Sequence, residues 1–317
     1  MTIAITILCH VLLIIKILKS QMKPLKYIAL SVVVILSIGL LSSHRISKEV
    51  PQDAPQTVEA VKVPSYLEFA GEAVPLENFD VMERLDFQLQ LNTFRPHFMI
   101  RNIKLANRYF PTIEKILAEE GVPDDFKYLA VAESSLLYNA TSSSGAQGLW
   151  QFMPSTGKAF GLEINSEVDE RNNLEMATRA ACEHLKADYK RFGSWTIAAA
   201  AYNTGASRLK KKMENQQTTN YYDLELRKET SDYIFRILSI KEIMQYREKY
   251  GIIVNQYYRA LNNYKTVEVS SSIPDLAQFA VDNGTTLRKL RLYNPWLVSS
   301  KLTNSQRKVY QVKIPQE

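Results

Sequence analysis

Glu133 is the residue best suited to chemistry, because it is the only charged residue in the stretch 129–157, LAVAESSLLYNATSSSGAQGLWQFMPSTG. Its neighbours are apolar or small, so we expect the carboxylate to lose contact with water, which disfavours its charged form. It also falls near the end of a predicted helix, where the negative pole of the helix dipole opposes another negative charge. Both effects raise the pKa of Glu133 and favour a general acid near neutral pH. The alternative is a helix-end carboxylate that reaches solvent or pairs with a base.

Two further stretches carry polar side chains that could line a groove beside this acid. Gln151 and Met153 alternate with two aromatic residues that are expected to be buried. An amide group next to a soft apolar side chain suits contact with a sugar. Tyr202 and Asn203 follow four alanines, which permit close approach between helices, so the Tyr202 hydroxyl could face a pocket. Taken alone, a tyrosine in this position is more often a core residue with a satisfied hydroxyl.

Four motifs, in this order along the chain, resemble the lytic transglycosylase family, whose catalytic domain is similar to goose lysozyme. They are Glu133 with Ser134, residues 145–157 (GAQGLWQFMPSTG), residues 201–205 (AYNTG) and residues 229–233 (ETSDY). One such motif alone is a weak indication, whereas four in order are a strong one. The resemblance covers about residues 65–250. It departs at Leu137-Tyr138, where many members have Asp-Pro, and at Arg227-Lys228, where Leu-Pro often precedes Glu-Thr.

The resemblance implies an enzyme that cleaves peptidoglycan glycan strands between N-acetylmuramic acid and N-acetylglucosamine. In this family a single Glu protonates the glycosidic oxygen and then deprotonates the C6 hydroxyl of the muramic acid, which attacks C1 and leaves a 1,6-anhydro end. Most glycosidases need two carboxylates. Intramolecular attack uses proximity in place of the second one, which suits a motif region with one acid. The family implies no cofactor and no metal.

Carried over residue by residue, the resemblance makes Glu133 the acid and then the base. The substrate-binding residues that it implies are Ser134, Gln151, Met153, Tyr202, Asn203, Glu229 and Tyr233. For Glu229 and Tyr233 the alternative is a helix-capping acid and a core aromatic residue. Two other functions also stay open, namely a non-catalytic scaffold that binds peptidoglycan and a lysozyme-type hydrolase of the same bond.

The elements that must position these residues are predicted to be helices. Apolar residues recur every four positions from residue 78 onward, and helical patterns return at 174–192, 195–202 and 223–250. The segment from Phe126 to about Ser134 is apolar almost all round, so its helix should be buried. No strand-like alternation of any length appears before residue 264. The predicted fold is therefore mainly α, and by resemblance lysozyme-like, with a catalytic domain at 65–255 whose first helices span 65–121 and whose core spans 122–250.

The last fifty residues, 264–316, are predicted to form a separate βααβ module. Strands are expected at 266–269 and 309–314, and helices at 273–280 and from Leu287. This order resembles a degenerate LysM domain, a peptidoglycan- or chitin-binding unit. The usual Gly-Asp-Thr-Leu opening is replaced at 271–276 by SSIPDL, in a loop that LysM domains use for sugar contact. A purely structural cap is the alternative.

The N-terminus predicts export from the cytoplasm. Lys23 and Lys26 precede 17 uncharged residues, 27–43, so residues 1–44 form either a signal peptide, starting at Met1 or Met22, or a membrane anchor. Residues 45–64 mix charge with proline as a linker does. Lysines before the apolar run should stay inside, which places the rest in the periplasm or cell envelope, tethered to the inner membrane if the segment is uncleaved.

The charge balance and the few cysteines and histidines argue against a nucleic-acid partner, a disulfide and a metal site. The chain has 39 Lys+Arg and 33 Asp+Glu, but residues 1–48 hold the whole basic surplus, which argues against a nucleic-acid partner. Cys182 is the only cysteine in the exported part, so it is expected to be a buried apolar residue and not half of a disulfide. His97 and His184 are too isolated along the chain to predict a metal site.

Overall fold

The computed structural model describes residue 16 and residues 59–316. The predicted signal or anchor segment and nearly all of the linker therefore lie outside the described residues. The chain divides into two units, residues 1–59 and residues 60–317. Everything below concerns the second unit. Within the described part, no helix is both long and apolar enough to cross a membrane.

Helices dominate the described chain, which confirms the mainly α prediction. The ten α-helices of residues 59–316 are α1 (Phe79–Thr93), α2 (Pro96–Glu120), α3 (Phe126–Ser134), α4 (Pro154–Ala159), α5 (Leu174–Phe192), α6 (Trp195–Thr204), α7 (Ala206–Gln216), α8 (Lys228–Gln245), α9 (Leu276–Asp282) and α10 (Leu287–Tyr293). Short 3₁₀ turns lie at Glu170–Asn172, Tyr221–Asp223 and Arg247–Tyr250. A short hairpin with two residues in each strand, β1 (Glu68–Phe69) and β2 (Glu72–Ala73), precedes α1.

The core of the helical region, residues 60–255, surrounds α8, which packs against α1, α3 and α6. Gly121 ends α2 in the left-handed conformation, with a φ of 67°, and lets the chain turn into α3. The predicted burial of α3 is confirmed, since Leu129, Ala130 and Val131 are almost fully buried. The four alanines at 198–201 are also buried in α6, where small side chains allow neighbouring helices to approach.

Three sequence expectations differ from the structure. The helix expected at 223–250 is shorter, because Asn220 caps a separate 3₁₀ turn and the chain is extended until α8 begins. The first helix of the module begins at Leu276, after the Asp275 cap, and not at residue 273. Strand structure also appears before residue 264, in the β1–β2 hairpin. The periodicity did not predict α7, of which only Leu209 is buried.

The C-terminal module, residues 264–316, has the predicted βααβ order. Strand β3 (Tyr264–Val269) pairs antiparallel with β4 (Tyr310–Pro315), and α9 and α10 lie between them in sequence. Its own hydrophobic core includes Leu276, Leu290 and Val312. These two cores support the predicted boundary between residues 255 and 264, which otherwise remains a prediction.

A short segment between α4 and α5 contributes to docking the C-terminal module on the helical region. Val168 from this segment is a member of the module's core. The amide of Asp169 donates to the carbonyl oxygen of Trp296 at 2.9 Å, and the amide of Val298 donates to the carbonyl oxygen of Glu167 at 3.1 Å. Apolar burial and backbone hydrogen bonds thus join the two parts of this unit.

Cys182 is fully buried, as predicted, and burial raises the pKa of its thiol to about 12. A thiol with such a pKa is unreactive near neutral pH. Among the described residues, no group of three or more His, Cys, Asp or Glu side chains could hold a metal ion.

Candidate active site

Glu133 lies at the C-terminal end of α3, one residue before the helix ends. Ser135 and Leu136 follow with left-handed φ values of 53° and 55°. Non-glycine residues avoid this conformation, and where they adopt it they cluster at functional sites. The sharp turn ends α3 immediately after Ser134, so the chain changes direction beside the carboxylate.

Tyr233 is the direct partner of Glu133, although the two lie one hundred residues apart. Its ring is buried in α8, and its hydroxyl donates a hydrogen bond to Oε1 of Glu133. Within residues 59–316, Oε2 of Glu133 has no hydrogen-bond partner, so this oxygen is available to carry a proton. Tyr233 therefore orients the carboxyl group.

The environment of Glu133 raises its pKa from 4.5 to about 7. Burial is the largest cause, because it disfavours the charged form, and the negative charge of Glu229 acts in the same direction. The Tyr233 hydrogen bond and the charge of Arg236 oppose the rise. Burial is the cause that the composition of residues 129–157 predicted. A carboxyl group with a pKa this close to neutrality can carry a proton near pH 7.

Replacing Tyr233 by phenylalanine should raise the pKa of Glu133 above about 7. The hydrogen bond from Tyr233 stabilises the carboxylate, so its loss leaves desolvation less opposed. Carbon-13 NMR titration of the glutamate carboxyl groups measures this directly. Tyr222→Phe is the matched control, because Tyr222 is also a buried tyrosine but does not contact Glu133. An unchanged or lower pKa in Tyr233→Phe would contradict the orienting contact.

Gln151 lies in a tight loop, residues 139–153, which connects α3 to α4. Its φ is 48°, and its side-chain Nε2 donates to the carbonyl oxygens of Ala140, at 3.0 Å, and Gly148, at 2.8 Å. Among residues 59–316, Oε1 of Gln151 accepts no hydrogen bond. The amide nitrogen therefore holds the loop closed, while the amide oxygen stays available as an acceptor.

Tyr202 stabilises the same loop from α6. Its hydroxyl donates to the carbonyl oxygen of Trp150 at 2.7 Å, so this donor is already used by the protein. The His184 ring lies beside its ring in a tilted arrangement, with centroids 4.8 Å apart. Burial lowers the pKa of His184 to about 4, which keeps it neutral. The pKa of Tyr202 is raised by burial and by the charge of Glu133, so the two side chains are close enough to interact.

The other four residues of the predicted site lie in α3, at the start of α4, in α6 and in α8. Ser134 is buried and its Oγ donates to the carbonyl oxygen of Ala130 at 3.0 Å. Asn203 accepts from Oγ1 of Thr230 at 2.9 Å, which joins α6 to the first turn of α8. Met153 caps α4 with 40% of its surface exposed, and Glu229 is exposed in the first turn of α8. Sugar contacts by these residues remain predictions.

Arg171 is the residue of this site that the sequence did not reveal. It is buried and pairs with Asp169 at 2.6 Å. Its guanidinium also donates to the carbonyl oxygens of Gly145, at 2.9 Å, and Phe152, at 3.1 Å, and so holds the loop that carries Gln151 at two points. Residues 169–173, DERNN, are uniformly polar, which is typical of an exposed turn, so their pattern does not predict a buried arginine.

Gly148 packs against the backbone that carries Arg171. A Cβ atom at this position would lie 2.0 Å from the carbonyl oxygen of Arg171, and the φ of Gly148 is 83°. Both facts require glycine here. The GAQG sequence is therefore explained by a close backbone approach that holds the loop against the 3₁₀ turn.

Comparisons with known proteins match two parts of this chain to domain families. Residues 110–224 match the model of the transglycosylase SLT domain family, and residues 265–317 match that of the soluble lytic transglycosylase C-terminal LysM-like domain. Residues 110–224 are thus similar to the SLT transglycosylase domain, and residues 265–317 are similar to the LysM-like domain. The first match includes Glu133, Gln151 and Tyr202 and ends before α8, which carries Tyr233.

Individual relatives agree with these domains. Membrane-bound lytic murein transglycosylase D of Escherichia coli (strain K12) is 29% identical over 204 residues, which are 62% of this chain and 44% of that protein. Peptidoglycan transglycosylase gp16 of Escherichia phage T7 is 36% identical over 104 residues, 32% of this chain and 8% of that protein. Our chain is homologous to the first of these but spans less than half of its length.

Solved structures also match part of the chain. The 70 kDa soluble lytic transglycosylase of Escherichia coli aligns with a TM-score of 0.39 and 18% identity, over 58% of this chain and 37% of that chain. Lytic transglycosylase Slt from Pseudomonas aeruginosa, as an inactive mutant, aligns with a TM-score of 0.34 and 21% identity over 44% of this chain and 24% of that chain.

Proposed function

We propose that this protein is a peptidoglycan lytic transglycosylase in which Glu133 acts first as a general acid and then as a general base. The observation that carries the proposal is a carboxyl group with a pKa of about 7, held through one oxygen by a buried tyrosine. The SLT domain match and the names of two relatives, which refer to murein and peptidoglycan, support glycan strands of the cell wall as the substrate.

The chemistry follows from the two oxygens of Glu133. Protonated Oε2 donates its proton to the glycosidic oxygen, the bond from C1 of N-acetylmuramic acid to that oxygen breaks, and N-acetylglucosamine leaves with the electron pair and the proton. The carboxylate then removes the proton from the C6 hydroxyl of the muramic acid, and O6 bonds to C1. Glu133 is protonated again, no water is consumed, and the new chain end is a 1,6-anhydro sugar.

The loop of residues 139–153 supplies the sugar contacts in this proposal. Oε1 of Gln151 is an acceptor without a described partner, and Met153 offers exposed apolar surface next to it. Tyr202 and Ser134 act by holding backbone groups in place, since their hydroxyls are used within the protein. Asn203 and Glu229 lie where α6 meets the start of α8 and border the same acid.

The location proposed for the protein is the periplasm or cell envelope, where this substrate occurs. The apolar run at 27–43 would direct the chain there as a signal or an anchor in the inner membrane. The LysM-like module is proposed to bind the same polymer.

Mass analysis of the products tests the proposal. Purified peptidoglycan is incubated with the protein and the released fragments are separated and weighed. We expect fragments with 1,6-anhydro ends, each lighter by one water than the corresponding reducing fragment. Reducing ends would show a lysozyme-type hydrolase, and the absence of fragments together with retained binding would show a non-catalytic scaffold. Either result would overturn the proposed reaction.

A further inference from the structure

A cavity of about 210 Å³ lies between the helical region and the C-terminal module, and Glu133 is not among its lining residues. Its walls come from α2, from the loop that follows α3, from the start of α5 and from β3, α10 and β4. Typical ligand pockets hold about 300–1,000 Å³, so this smaller cavity suits a single ring with its substituents. None of the predicted substrate-binding residues lines it.

Aromatic side chains form much of the wall and offer flat apolar surfaces. The tyrosines and tryptophan concerned are Tyr109, Tyr138, Tyr264, Tyr293 and Trp296. Tyr264 and Tyr293 meet edge to face with centroids 6.1 Å apart. Rings with a polar edge stack against the apolar face of a sugar and leave their hydroxyls for its polar groups.

The charged groups of the wall leave one positive charge without a carboxylate partner. Lys313 pairs with Glu175 at 2.5 Å, which balances both. Arg108 makes no ion pair with any carboxylate of residues 59–316, and its Nε donates to the carbonyl oxygen of Arg259 at 2.9 Å. Guanidinium groups bind carboxylates in a planar, paired geometry. A ligand with one carboxylate would therefore complete the charge balance of the cavity.

We propose that this cavity binds one N-acetylated amino sugar that carries a carboxylate, the chemical class of N-acetylmuramic acid. The sugar ring lies against the tyrosine faces, and the carboxylate faces Arg108. The choice of this sugar rests on the proposed function, since it is a component of the substrate proposed for Glu133. The cavity then gives the protein a second sugar position, which the helical region and the module build together.

The test compares two sugars that differ only by the lactyl carboxylate. Binding of N-acetylmuramic acid and of N-acetylglucosamine to the full chain carrying Glu133→Gln is measured by saturation-transfer NMR titration. We expect N-acetylmuramic acid to bind at least tenfold more tightly. Arg108→Gln should remove this difference, and Tyr293→Ala should weaken the binding of both sugars.

Two controls separate this site from charge effects and from the catalytic site. Lys115→Gln removes a positive charge from the same helix, at a side chain that is 75% exposed and outside the cavity, and should leave the preference unchanged. Melting curves verify that each variant folds. Equal binding of the two sugars, no binding of either, or a preference that survives Arg108→Gln would each overturn the proposal. Because binding is measured without turnover, a failure to find anhydro products would leave this result intact.

Discussion

Glu133→Gln should reduce peptidoglycan cleavage by at least about 10³-fold while leaving glycan binding unchanged. Glutamine has the shape of glutamic acid but no transferable proton, and general acid–base catalysis contributes about 10²–10⁴-fold to rate. In the proposed reaction one residue serves both steps, so both are lost together. Release of soluble fragments measures the rate, and co-sedimentation with insoluble peptidoglycan measures binding. Turnover that persists in this variant would show that another group donates the proton.

The same variant also has an independent signature in stability. The Glu133 carboxyl has a pKa of about 7 in the folded chain and 4.5 in the unfolded chain. As the pH rises from 4.5 to 7, this difference lowers the free energy of unfolding. Below pH 4.5 this loss of stability is absent, and above pH 7 it reaches at most about 3 kcal/mol. Glutamine carries no such cost, so the variant should gain stability relative to the natural chain at pH 8 and not at pH 4. Urea unfolding at both pH values measures the difference, and equal gains would contradict the raised pKa.

Gly148→Ala should lower the free energy of unfolding by about 2–5 kcal/mol. A methyl group would lie 2.0 Å from the carbonyl oxygen of Arg171 and 2.8 Å from its carbonyl carbon, both backbone atoms that Asp169 and the 3₁₀ turn hold in place. Overpacking of this kind costs about 1–3 kcal/mol, and the left-handed φ adds about 1–2 kcal/mol. Urea denaturation gives the loss.

Gly145→Ala provides the matched comparison. Its φ of 85° is nearly that of Gly148, but no atom lies within 4 Å of its added methyl group. This variant should therefore show only the backbone cost of about 1–2 kcal/mol. If the two variants lost the same stability, the close approach at Gly148 would not matter.

We also expect the Gly148 variant alone to lose cleavage activity, since displacement of Arg171 would move the loop that carries Gln151.

The sequence predicted the features that depend on local pattern. The helices from residue 78 onward and the buried α3 follow from periodicity, and the raised pKa of Glu133 follows from its apolar neighbours. Contacts between distant segments leave no such pattern. Tyr233 approaches Glu133 only because α8 packs on α3, and the Arg171 clamp exists only because a polar turn folds under the loop. Helical periodicity describes which face of an element is buried but not which neighbour it meets.

The position of Val168 inside the core of the C-terminal module limits how the protein can engage a polymer. A module joined only by residues 256–263 could swing and sample many distances from Glu133. Here the helical region contributes a side chain to the module's own interior, and this shared core opposes such a movement. A long strand that touched both parts would be held at a set number of repeating units from the bond to be cut.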